Sequence, residues 1–181
     1  MKKLLFFIGV IFLLAGCDYS MLTNTPTKQV EIFLNKYQAL DSDVINDLDN
    51  VVNNEVNFTA AQKDQYRDLM KKHYQNLIYD IKDETVDGDK ATVKTEIEVT
   101  DFSQALATAN TYLEQHPSEF NDANGNYDVT KFNDYRLNQL KDVKKTVKYT
   151  IDFSLTKVND KWRLDPLDLT DQDKINGIYI Y

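Results

Sequence analysis

Cysteine is almost absent from this sequence: Cys17 is the only one, so no internal disulfide can form and the fold must be held by its own core. Histidine is nearly as scarce, with only His73 and His116. A zinc site has few ligands to draw on, and no metal or other cofactor is expected. There is no Gly-rich phosphate loop, no G-x-S-x-G elbow and no H-E-x-x-H helix, so the short motifs that announce phosphate, acyl or zinc chemistry are missing. Positive charge is also in deficit. The net charge of −8 gives a surface that repels polyanions, and nucleic acid is excluded as a partner. The chain lacks any apolar run of ~20 residues, the length a spanning helix needs.

What is present begins at the N-terminus. Met1-Lys2-Lys3 is a positive start, Leu4 to Leu14 is apolar except for Gly9, and Leu14-Ala15-Gly16-Cys17 follows. A charged n-region, a short h-region and small residues before a cut describe a secretory signal. The tetrapeptide Leu14-Ala15-Gly16-Cys17 resembles the lipobox of bacterial lipoproteins at every position. That resemblance implies diacylglyceryl transfer to the Cys17 thiol, cleavage before Cys17 and placement at the cell membrane, lipid-anchored on its extracytoplasmic side. The alternative is an ordinary signal peptide followed by a chance cysteine. Loss of Lys2 and Lys3 with the signal leaves 19 basic against 29 acidic residues, a balance of −10. The expected organisation is a signal peptide over 1–16, the lipidated cysteine and a polar tether over 17–25, and one domain over 26–181, long enough to bury a core of its own.

Thr25-Pro26 has the form of a helix start, and Val30, Phe33, Leu34 and Tyr37 follow at helical spacing. A second, shorter helix is expected over Asp43 to Val52. Thr59 and Gln62 have capping-box spacing ahead of a stripe of Tyr66, Leu69, Met70, His73, Tyr74 and Leu77. The period then becomes two. Tyr79 and Ile81 lead into a turn at Asp87-Gly88, and Ala91, Val93, Thr95, Ile97 and Val99 share one strand face. Asp101 is expected to cap a helix ended by His116-Pro117, Asn124-Gly125 to form a turn, and Phe132 to Val143 to lie on a further helix. Val147, Tyr149, Ile151, Phe153 and Leu155 alternate with polar residues, and Asn159-Asp160 turns the chain into Trp162. Trp162 is expected to be buried against Tyr149 or Ile151. The tail, Asp171 to Tyr181, is expected to add a helical turn and an apolar edge. Together these predict an α+β fold: a curved antiparallel sheet with amphipathic helices packed on one face.

Three amphipathic helices before such a sheet, with the cadence Asp87-Gly88-Asp89-Lys90-Ala91-Thr92-Val93, then Tyr149 to Leu155, then Lys161-Trp162, resemble the cystatin-like cone of the nuclear-transport-factor-two-like superfamily. The resemblance implies a cone whose sheet and helices enclose a pocket, used in that superfamily for catalysis, for small-molecule binding or not at all. His73, Tyr74, Tyr79 and Tyr149 are the residues expected to line it.

Two readings of His73 stand side by side. Set on an apolar stripe, it is either a general base in the pocket or a buried structural histidine bonded to a carbonyl or a tyrosine, which is the commoner case. His116 reads as a helix-end residue. Asp122 to Asp128 has the flavour of a calcium loop, but Phe120 and Lys131 fall where the first and last ligands should be acidic. The groups Asp41, Asp43, Asp47, Asp49 and Asp165, Asp168, Asp171, Asp173 sit where aspartate caps helices. The expected function is therefore a membrane-anchored lipoprotein whose domain binds a small ligand or an envelope protein without catalysis, the alternative being an enzyme with His73 as base.

Overall fold

The computed structural model describes residues 24–180; the expected signal peptide and the lipobox-like stretch with Cys17 lie outside the described residues. The chain opens with three helices, α1 (Pro26–Ala39), α2 (Ser42–Asn54) and α3 (Ala60–Gln75). Each starts where its sequence supplies a cap. The Thr25 hydroxyl accepts from Lys28 N, the Asp41 carboxylate from Asp43 N, and Thr59 with Gln62 completes a reciprocal capping box. Leu40 ends α1 in the left-handed region at φ 52°. The stripes Val30, Phe33, Leu34, Tyr37 and Val44, Leu48, Val52 are all buried.

The sheet has the order β1 (Ile78–Asp87), β2 (Lys90–Thr100), β3 (Thr146–Val158), β4 (Lys161–Leu164), every neighbour antiparallel. The fold is α+β, with an open, curved antiparallel sheet and helices on one face. Alternation is nearly unbroken in the central pair: Ala91, Val93, Thr95, Ile97 and Val99 face the helices, as do Tyr149, Ile151, Phe153 and Leu155. Charged and polar side chains take the opposite face, where Glu96 meets Lys148 at 3.0 Å. The edge strand β1 is less regular, because its register slips between Ile81 and Asp83; a bulge there ends the alternation that the sequence shows only as far as Ile81.

Between the two hairpins lie α4 (Ser103–Gln115), a 3-10 turn (Pro117–Phe120) and α5 (Val129–Lys141). These build a small second core of Ala109, Phe120 and Phe132, flanked by Tyr112, Leu113 and Tyr135. Asp101 stands one residue further from α4 than a cap would. Phe102 holds the cap position without a side-chain bond, while Asp101 accepts from Ser103 N and Oγ and pairs with Lys145 at 3.0 Å.

Two further expectations need correction. The first hairpin turns one residue later than Asp87-Gly88, since Asp87 pairs with Lys90 and the loop is Gly88-Asp89. Trp162 is buried, but it pairs with Lys157. That is eight residues along β3 from Tyr149, about 26 Å at strand rise, so its neighbours are Leu155, Lys157 and the α1 side of the sheet, not Tyr149 or Ile151. The C-terminal tail carries the expected helical turn and extends it inward. It forms α6 (Leu169–Ile175), capped by Asp168, and then inserts Ile175, Asn176 and Gly177 into buried positions. Among the described residues no helix is long and apolar enough to cross a membrane.

Candidate functional site

Of the four residues expected to line a pocket, His73, Tyr74 and Tyr149 are each bonded to the segment 175–179, and Tyr79 is bonded to Asn35 of α1. Tyr79 and Tyr149 flank Ile97 in a single row across β1, β2 and β3, while His73 and Tyr74 lie in the last turn of α3.

His73 is 2% exposed. Its Nε2 lies 2.7 Å from the carbonyl oxygen of Ile175, so Nε2 carries the proton and donates it. Nδ1 is buried with no hydrogen-bond partner among the described residues. The ring lies 5.0 Å from that of Phe102 and 5.6 Å from that of Tyr74. Burial outweighs the carbonyl contact and pushes the imidazole down to about 4. The chain thus holds a neutral imidazole against the tail, walled by aromatic rings.

Each tyrosine hydroxyl in the group is bonded as well. Tyr74 donates to Asn176 Oδ1 at 3.0 Å, Tyr79 to Asn35 Oδ1 at 2.9 Å, and Tyr149 to the Tyr179 carbonyl at 3.2 Å. Burial raises the Tyr74 phenol far above its usual range. A tyrosine is comfortable here because its ring joins the core while its tip finds an acceptor. The enclosed space they leave is small. A cavity of about 10 Å³ lies between Tyr37, Leu48, Asp47, Tyr74 and Asn176, room for roughly one water molecule. Of the four residues expected in a pocket, it takes Tyr74. Burial raises the Asp47 carboxyl above the ordinary carboxylate range, and the Tyr37 and Tyr74 rings meet edge to face at 5.0 Å.

A second, open depression of about 230 Å³ runs along α4 past Gln104, Ala107, Thr108, Thr111 and Gln115. Its lining carries no charge. Beneath it Tyr112 stacks on Tyr135 at 4.9 Å and on His116 at 4.3 Å.

The acidic clusters are engaged in local structure. Asp41 and Asp168 cap helices, Asp43 pairs with Lys36 at 2.7 Å, Asp49 with Arg67 at 2.6 Å, and Asp171 with Lys174 at 2.7 Å. Asp122 accepts from Asn124 N and Asn126 N, the bonding of a tight turn. No group of three metal-binding side chains occurs among the described residues.

Sequence reasoning missed Ile175, Asn176 and Tyr179, which hold three of these four side chains. The signal available was the cap spacing Asp168-x-x-Asp171. It also missed Asn24, whose amide bonds both ways to the backbone of Trp162: Trp162 N to Oδ1 at 2.5 Å and Nδ2 to Trp162 O at 3.2 Å. The chain matches no family model, no curated protein and no solved structure.

Proposed function

We propose that this protein is a bacterial lipoprotein, held by lipid on Cys17 at the extracytoplasmic side of the cell membrane, and that its domain is a non-enzymatic binding module for a small ligand or an envelope protein. The observation that carries the reading is the lipobox Leu14-Ala15-Gly16-Cys17 directly after a charged and then apolar start, with the single cysteine at the one position where the lipid chemistry needs a thiol. Two or more acyl chains make such an anchor firm, where one alone is marginal.

The non-catalytic half of the reading is supported by His73. A general base needs hydrogen-bond access to a substrate proton and a pKa near working pH. This imidazole is enclosed, committed through Nε2 to Ile175 O and depressed to about 4. The cavity beside Tyr74 is far below the roughly 300–1,000 Å³ of small-molecule sites, so a partner, small ligand or envelope protein, is met on the domain's surface and not in that cavity.

The test is palmitate labelling of the full chain in a bacterial host, beside a Cys17→Ser variant. Labelling that vanishes in the variant supports the reading; unchanged labelling overturns it. Crosslinking on intact cells and native mass spectrometry of the purified protein then identify what the domain holds. A turnover activity abolished by His73→Gln in a stably folded domain would replace the binding module with an enzyme.

A further inference from the structure

Of the two edges of the sheet, the chain closes one itself. Strand β4 is four residues long, and the Asn24 side-chain amide takes both the N–H and the carbonyl of its Trp162. The other edge, β1, is left open. Among the described residues no backbone group of Ile78–Asp87 bonds to anything other than β2. The five residues from Asp83 to Asp87, past the bulge, are all exposed.

The register shows which groups this edge offers. Lys157 N donates to Asp89 O at 2.8 Å, so Asp89 faces β3, and Lys90, next along the strand, faces β1. Lys90 and Asp87 flank the two-residue turn Gly88-Asp89 as a hydrogen-bonded pair. Bonded and non-bonded pairs then alternate along an antiparallel ladder. The N–H and C=O of Val86 and of Glu84 therefore point out of the sheet.

The side chains beside those groups are two-faced. Glu84 and Val86 share the helix-covered face with Val93 and Ala91, and Thr27 holds the Glu84 carboxylate through its N and Oγ1. Val86 stands at the end of the apolar row Leu164, Leu155, Ala91, and is 50% exposed where that row runs out. Asp83, Thr85 and Asp87 lie on the solvent face, and the two carboxylates make no hydrogen bond or ion pair among the described residues. Lys94 and Lys90 stand behind them on β2. Even so, residues 78–100 carry seven acidic side chains against three basic, so the field at this edge favours a cation.

An open edge is commonly blunted by proline or by a very short strand. Segment 83–87 has neither. Its carboxylates keep two β1 edges apart, because like charges opposite one another repel, and they draw in a strand with cations at alternate positions. We infer that 83–87 is a strand-addition site for an extended, cationic segment of an envelope protein. The incoming chain exchanges main-chain hydrogen bonds with Glu84 and Val86. It sets lysine or arginine against Asp83 and Asp87 on one face and an apolar residue beside Val86 on the other. The inference deepens the binding-module reading and rests on it.

The test titrates the full chain, purified in detergent, with a fluorescent acetyl-Lys-Val-Lys-Val-Lys-Val-amide peptide. Three companions are the same peptide with glutamate for lysine, one N-methylated at its valines, and one N-methylated at its lysines. In the proposed register the valines bond to Glu84 and Val86, so only the first and the lysine-methylated peptides should bind. Val86→Pro removes an outward N–H and no bond of the ladder, and should weaken binding about tenfold. Hydrogen exchange at the Glu84 and Val86 amides should slow when peptide is bound. Equal binding by the glutamate or the valine-methylated peptide, undiminished binding to a folded Val86→Pro protein, or no binding at all would overturn the site. Should Val86→Pro fail to fold, the two methylated peptides decide. A dimer of the chain that Val86→Pro dissolves would make the occupant a second copy and overturn the cationic partner. Crosslinking on intact cells that finds a partner away from β1 would overturn the site and leave the binding-module reading standing.

Discussion

His73 donates its Nε2–H to the carbonyl oxygen of Ile175 at 2.7 Å, across 102 residues of chain. One bond thereby ties the end of α3 to the end of α6, and its chemistry makes stability pH-dependent. In the unfolded chain the imidazole gains a proton as pH falls through ~6.5. In the folded protein, burial delays protonation to about 4.

The first prediction follows from that gap. The folded pKa lies below the unfolded one, so the stability linked to His73 is complete above the unfolded value and is lost as pH falls toward the folded value. Between pH ~7 and pH ~5 the loss should be about 2 kcal/mol. His73→Gln should cost about 1–3 kcal/mol at neutral pH, because the ring packed against Phe102 and Tyr74 gives way to a flexible amide that holds the Ile175 carbonyl less well, and should show a shallower decline with acid. Urea unfolding of both proteins at the two pH values checks this. Parallel declines would mean that His73 titrates in the fold as it does in the unfolded chain.

Much of the scaffold around that bond was legible in the sequence. Thr25-Pro26 and the Thr59/Gln62 box mark helix starts because capping is a contact over three residues, and the period of two in β2 and β3 is written directly in Ala91 to Val99 and Tyr149 to Leu155. The site was only half legible. The stripe placed His73 and Tyr74 inside, but the groups they bond, Ile175 and Asn176, lie some hundred residues away in a seven-residue helix too short to show a period. Trp162 was read as buried, yet its partner on β3 depends on strand register, which the turn at Asn159-Asp160 sets. These two residues adopt φ 51° and 59°, so the reversal is tight and pairs Trp162 with Lys157.

Gly177 gives the second prediction. It sits at φ +69°, and a β-carbon there would lie 2.0 Å from the Thr100 carbonyl oxygen and 3.0 Å from His73 Cε1. Its own carbonyl accepts from Phe102 N at 2.8 Å. Gly177→Ala should therefore destabilise by on the order of 3 kcal/mol, combining left-handed strain with an overpacked contact. A change below about 1 kcal/mol by thermal unfolding would show that the tail is not docked as described.

Gln62 gives the third. Its side chain is buried, accepts from Thr59 N at 2.9 Å, and donates to Thr130 O at 2.9 Å and to Asp134 Oδ1 at 2.6 Å. One residue thus starts α3 and fastens it to α5. Gln62→Ala should cost about 2–3 kcal/mol, more than the ~1 kcal/mol of a cap alone. In hydrogen exchange the loss should reach α5 amides as well as those of α3. Protection lost in α3 only would mean that the contact between the helices contributes little.

The last prediction concerns Asn24 and Trp162, the contact that covers the free edge of β4. Trp162→Ala should cost about 3–5 kcal/mol, as for other buried aromatic deletions. Asn24→Ala removes one donor and one acceptor from a half-buried strand edge, and should cost about 1–2 kcal/mol. Asn24→Asp separates the two bonds, since a carboxylate still accepts from Trp162 N but sets negative charge against Trp162 O. It should be at least as damaging as Asn24→Ala at neutral pH and should recover as the carboxyl protonates in acid. Chemical unfolding of the three variants across pH checks the series. Were Asn24→Ala and Asn24→Asp both neutral within about 0.5 kcal/mol, the clamp would not form in solution.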